Sequence, residues 1–166
     1  MPARPFVVSA GRALRTGAPE RVQVRGPIPD LFVTGSEVPD GADIEVDVEL
    51  EPVGRTIEAV GTVSAPWQGQ CRRCLKPVNG EAHAEVREIF EEEPVEEETY
   101  PLRHETVDLE PMAREAIVLE LPVAPLCKED CLGLCPECGA DLNEAACSCA
   151  PPSDPRWAVL DQLREQ

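Results

Sequence analysis

Residues 44–51 read IEVDVELE, and their alternation decides the fold. Ile44, Val46, Val48 and Leu50 take one face while Glu45, Asp47, Glu49 and Glu51 take the other. That two-residue period belongs to an antiparallel strand with one face buried and one wet. Residues 52–54 supply a turn. A second strand over about 55–65 then sets Ile57, Ala59, Gly61 and Val63 against Thr56, Glu58, Val60 and Thr62, which predicts a hairpin. A third strand over about 78–90, with Ala82, Ala84, Val86 and Phe90 at even positions, returns beside the second.

Outward from these strands the chain changes character. Residues 1–26 carry Arg4, Arg12, Arg15, Arg21 and Arg25 against Glu20 alone, and read as a basic N-terminal arm able to reach RNA phosphates. GPIPDLFVTGSEVPDG, residues 26–41, reads as a loop entering the sheet. EEEPVEEE at 91–98 repels itself and has nothing to bury, which marks a solvated acidic loop rather than a catalytic cluster. DLEPMAREAIVLELP follows a polar loop containing His104. It offers Asp108 as a cap, Pro111 in the first turn, and Leu109, Met112, Ala113, Ala116 and Ile117 at helical spacing, so an amphipathic helix is expected over about 108–121. DPRWAVLDQLREQ repeats that logic, with Asp154 and Pro155 ahead of Trp157, Leu160 and Leu163, and reads as a short terminal helix.

The expected organisation is therefore α+β: a basic arm over 1–26, a β-rich core over 27–121 built on a mainly antiparallel sheet with one main amphipathic helix, and a zinc-bound, cysteine-rich C-terminal tail over 122–166. With only 3 Phe, 2 Trp and 1 Tyr among 166 residues, the core must be made of Val, Ile, Leu and Ala. The apolar run at 6–10 is too short for a signal-peptide core, and no stretch approaches the roughly 20 apolar residues that span a bilayer. A cytoplasmic protein with reduced thiols is expected. A formal net charge of −17 disfavours a general phosphate-binding surface and favours solubility or a basic protein partner.

The 8 cysteines fall into close pairs, Cys71/Cys74, Cys127/Cys131, Cys135/Cys138 and Cys147/Cys149. In a reducing compartment such pairs clamp metal rather than form disulfides, and two sites of four thiolates use every cysteine. Short loops close most easily, which assigns Cys135, Cys138, Cys147 and Cys149 to one zinc and leaves Cys127 and Cys131 to join the distant Cys71 and Cys74. The competing arrangement shares Cys71, Cys74, Cys135 and Cys138. His83 and His104 read as ordinary solvent-facing histidines, although either could replace a cysteine in a mixed site.

CxxC is also the redox motif of thioredoxin-like folds, so a thiol-disulfide oxidoreductase is the enzymatic rival, and a zinc-dependent protein-interaction module is a further alternative. CRRCLKP runs into Pro77 and an Asn-Gly turn, however, whereas a redox pair needs a helix N-terminus to lower its thiol pKa. There is no Ser/His/Asp arrangement, no phosphate-cradling glycine loop and no paired-carboxylate site, so no catalytic residue is assigned. Arg72, Arg73 and Lys76 offer an RNA or partner contact, or offset the charge of a zinc-thiolate site.

CRRCLKPV, the strand ending EIFEEE, and DLEPMAREAIVLELPVAPLCKEDCLGLCPECGADLNEAACSC followed by DPRWAVLDQL together resemble the YceD family. That resemblance covers about half the chain with specific strings. It implies a role in the synthesis, processing or stability of 23S ribosomal RNA and in large-subunit biogenesis, with a large-subunit precursor or a basic ribosomal protein as partner. No molecular mechanism comes with it. The cysteine count varies within the family, and this chain carries the full complement.

Overall fold

The computed structural model describes residues 5–96 and 98–149, so the helix expected from Asp154 lies outside the described residues. The alternating segment forms β4, Asp43–Val53, the first strand of a meander with β5, Thr56–Gln70, and β6, Pro77–Glu91. Ile44, Val46, Val48 and Leu50 are at most 1 % exposed, and Ile57, Ala59, Val63, Ala82, Ala84, Val86 and Phe90 join them on the inner face. Burial of this face is the main driving force for the fold. β5 runs five residues beyond the expected Ala65. It pairs β4 as far as Ser64 and then β3, Ser36–Glu37, at Gln68 and Gly69, so Pro66 falls in the gap between these partners. A proline is tolerated where a ladder is interrupted.

Residues 5–27 are folded into the sheet in place of the expected arm. They form β1, Val7–Ser9, α1, Gly11–Thr16, and β2, Glu20–Pro27. Phe6 is buried in the core, and the arginines turn to carboxylates of their own chain. Arg15 reaches Glu105 at 2.6 Å, Arg21 grips both oxygens of Asp47 at 2.9 and 2.6 Å, and Arg25 meets Asp43 at 2.8 Å. The Arg21 side chain, then that of Gln23, hold the Asp47 carboxyl down at about 2.

A second departure lies at 100–108, which is not a polar loop but a hairpin of β7, Tyr100–Arg103, and β8, Thr106–Asp108. His104 and Glu105 both adopt left-handed backbone, with φ of 51° and 57°. Two such residues between paired Arg103 and Thr106 make the turn whose twist matches a β-hairpin. The strand order is β1-β8-β7-β6-β5-β4-β2, antiparallel except for the short parallel pair β6–β7 that spans the glutamate loop. The sheet curls until its two ends approach each other, for a methyl group added at Gly26 of β2 would lie 2.7 Å from Pro5, just ahead of β1. The result is a nearly closed, barrel-like sheet.

The main helix, α2, is Glu110–Glu120, with Leu109 rather than Asp108 at its N-cap position; Asp108 still accepts the Glu110 N–H at 3.1 Å. It packs Met112, Ala113 and Ile117 against β5 and β6 and stops before Pro122. Gly61 lets β4 come close to β5, since a methyl group there would strike the Asp47 carbonyl and lie 2.7 Å from Val48 Cα. Gly61→Ala is expected to cost about 1–3 kcal/mol, because backbone rather than a side-chain tip must give way. Urea denaturation checks this, with a shifted midpoint and unchanged slope as the expected result.

Candidate metal centre

The first cysteine pair sits at the tip of the long β5–β6 hairpin, which turns through 71–76. The Cys71 N–H donates to the Lys76 carbonyl at 2.9 Å and the Leu75 N–H to the Cys71 carbonyl at 2.8 Å. CPECGA at 135–140 repeats this pattern, with Cys135 N–H to Ala140 at 2.8 Å and Gly139 N–H to Cys135 at 2.9 Å. The fifth residue is left-handed in both, Leu75 at φ 61° and Gly139 at φ 72°. The two motifs are therefore one knuckle built twice, and Leu75 adopts a conformation suited to glycine. Since Leu75 is 59 % exposed, Leu75→Gly is expected to stabilise the protein by about 0.5–1 kcal/mol, the relief of left-handed strain less the added chain entropy. A lower melting temperature for this variant would contradict that reading.

Each knuckle aims backbone N–H groups at its first sulfur. Burial pushes the Cys71 thiol up, but the N–H groups of Cys74, Cys127 and Arg73 outweigh it and hold Cys71 at about 6. The N–H groups of Cys138 and Glu137, then the Cys147 thiol, bring Cys135 to about 6 as well. Cys149 moves the other way, to about 12, chiefly through the Cys138 sulfur beside it. Four clustered sulfurs cannot all ionise unless a cation joins them.

The chain leaving α2 crosses the hairpin tip, where Ser36 Oγ donates to the Pro122 carbonyl and the Arg72 N–H to the Pro125 carbonyl, each at 2.9 Å. It thereby delivers Cys127 and Cys131 to the first knuckle. Cys71 and Cys131 sulfurs lie 3.8 Å apart and those of Cys74 and Cys127 3.6 Å apart. Those separations match the edge of about 3.8 Å that a tetrahedron acquires from Zn–S bonds near 2.3 Å. Cys135, Cys138, Cys147 and Cys149 form the second group, and within each tetrad the sulfurs lie within 4.8 Å of one another. Both tetrads could hold a metal ion. All eight thiols are free, and the arrangement Cys71, Cys74, Cys135 and Cys138 is not the one formed.

Neither histidine enters a tetrad: His83 lies on β6 beside Glu81 at 3.2 Å, and His104 makes the β7–β8 turn. Of the three cations in the first knuckle, Arg73 donates to the carbonyl oxygens of Cys131 at 2.7 Å and Glu129 at 3.3 Å. Lys76 pairs with Asp141 at 2.7 Å and Glu144 at 2.9 Å. The Arg72 guanidinium has no such partner among the described residues. It lines a cleft of about 540 Å³ with Phe32, Leu75 and Val123, which are 66 %, 59 % and 64 % exposed. Sequence reasoning missed Asp141 and Asn143. The D-x-N spacing that lets Asp141 accept the Asn143 N–H at 2.9 Å was the available signal.

No described helix is long and apolar enough to cross a membrane. No solved structure matches the chain. An uncharacterized protein of Mycobacterium tuberculosis is 38 % identical over 76 % of this chain and 64 % of its own length, so the chain spans a little under two thirds of that relative. A protein of Arabidopsis thaliana named large ribosomal RNA subunit accumulation protein YCED homolog 1, chloroplastic, is 23 % identical over 78 % of this chain and 51 % of its own. Its Zea mays namesake is 24 % identical over 73 % and 53 %. The family model for large ribosomal RNA subunit accumulation protein YceD matches residues 59–164, a span that contains both knuckles and all eight cysteines, and the chain belongs to that family.

Proposed function

We propose that this chain is a non-catalytic cytoplasmic factor that supports 23S ribosomal RNA synthesis, processing or stability during large-subunit biogenesis, and that it carries two structural zinc ions. The observation that carries the functional reading is the match of residues 59–164 to a family named for accumulation of large ribosomal RNA. Four thiolates complete a tetrahedral shell and leave no position for water or substrate, which favours a structural ion. The knuckles lie at a hairpin tip and in a loop, without the helix N-terminus that activates a redox cysteine.

Contact with the pre-ribosome runs through a basic ribosomal protein or a large-subunit precursor. A net charge of −17 opposes naked RNA, and Arg15, Arg21 and Arg25 are engaged by carboxylates of the same chain. Arg72 is the cation of the CRRCLK knuckle best placed to meet a partner, with Arg73 and Lys76 held in the fold. Depletion of the protein in growing cells is expected to lower mature 23S RNA and the large subunit relative to the small one. An unchanged subunit ratio after complete depletion would overturn this function.

A further inference from the structure

The segment between the second knuckle and its last two ligands does not face solvent alone: it is folded onto the first site. Asn143 lies inside the loop that the Cys135, Cys138, Cys147 and Cys149 tetrad closes. Its Oδ1 accepts the Leu132 N–H at 2.9 Å, which fixes the amide so that Nδ2 faces the Cys131 sulfur at 3.5 Å and Asp141 Oδ1 at 2.7 Å. A ligand of the first tetrad thus receives a hydrogen bond from within the second. Around this contact the Leu134 N–H donates to the Arg73 carbonyl at 3.1 Å, and the Leu142 N–H to the Gly133 carbonyl at 2.9 Å. Lys76, the last residue of the first knuckle, pairs with Asp141 and Glu144. Gly133 is required here: its φ is 79°, and a methyl group on it would stand 3.0 Å from the Arg73 carbonyl.

We propose that the two tetrads are one coupled metal-binding unit, in which Asn143 completes the sulfur environment of the first site only when the second site has ordered its loop. This rests on the zinc reading above and concerns how the ions are held. A donor to a thiolate offsets part of its charge and fixes its orientation, as supporting groups do at metal sites generally. Without an ion in the second tetrad, the loop carrying Asn143 loses its closure, and the first site must order that donor itself. Coupling of binding is reciprocal, so an ion in the first site favours the second by the same factor. One sulfur hydrogen bond and the two ion pairs of Lys76 at stake point to a coupling of about ten-fold.

The test is a thermodynamic cycle on the full chain under reducing conditions, with zinc set by a competing chelator and bound ions counted by native mass spectrometry. Cys71→Ser/Cys74→Ser reports the second site alone and Cys135→Ser/Cys138→Ser the first. The two-ion constant of the unaltered chain is expected to exceed the product of the single-site constants about ten-fold. Asn143→Ala keeps all eight thiols, and in its background the excess is expected to fall toward one, with the first site weakened. A product equal to the two-ion constant in the unaltered chain, or an excess untouched by Asn143→Ala, overturns the coupling while leaving the zinc sites intact. A chain that holds no zinc overturns the metal reading and the coupling together.

Discussion

Stripping zinc from the folded protein with a strong chelator is expected to unfold the region from 122 to 149 while the β4–β6 meander keeps its strands. The reason lies in how unevenly apolar burial is distributed. The sheet and α2 share one continuous core, from Phe6 and Ile44 to Met112 and Ile117. Beside the first tetrad, among the described residues, only Val78, Leu126 and Leu134 pack against buried Cys71, Cys74 and Cys131, so the sulfurs are themselves most of that small core. Structural zinc binding contributes an apparent ~10–16 kcal/mol, as much as the whole stability of an ordinary domain. Packing this thin cannot replace it. Hydrogen exchange should show amides of 71–76 and 122–149 losing protection, those inside β4, β5 and β6 retaining it, and zinc restoring the difference. Unchanged protection in the chelated tail would contradict the expectation.

Single-thiol substitutions should divide the region. Cys71→Ser is expected to release mainly the ion at the hairpin tip and to detach 122–131 from the sheet. Cys135→Ser should instead open 135–149, whose closure depends on its own four sulfurs. Each loss should amount to several kcal/mol, a fraction of the roughly 10–16 kcal/mol of apparent zinc binding. Hydrogen exchange together with ion counting reads both variants. If the two substitutions release the same ion and expose the same amides, the grouping of the tetrads is wrong.

The meander and the tetrads were legible because each leaves a local signal. Ile44, Val46, Val48 and Leu50 alternate without interruption, and the order in which cysteine loops close follows from their lengths. What escaped were elements whose cause is tertiary. β1 and β2 are held by pairing with β8 and β4, and Arg15, Arg21 and Arg25, which helped give 1–26 the look of a basic arm, are neutralised by Glu105, Asp47 and Asp43, remote in sequence. The β7–β8 hairpin turns on His104–Glu105, which lacks the Asn-Gly or Gly signature that such turns usually carry. β5 continues through PWQGQ, beyond the expected end at Ala65, because β6 supplies a partner along the whole stretch and β3 a second one at Gln68 and Gly69. The contact from Asn143 to Cys131 was invisible for the same reason, since the two loops meet through tertiary contacts such as the Leu142 N–H to the Gly133 carbonyl and Lys76 to Asp141.

The most direct measurement is a joint count of zinc and thiols on the full chain purified under reducing conditions and then denatured with chelator. Two zinc ions per chain released alongside eight reactive thiols is the expected result, as all 8 cysteines stand free in two closed groups. A chain that releases no zinc, or that carries a disulfide within one of its cysteine pairs, would contradict it.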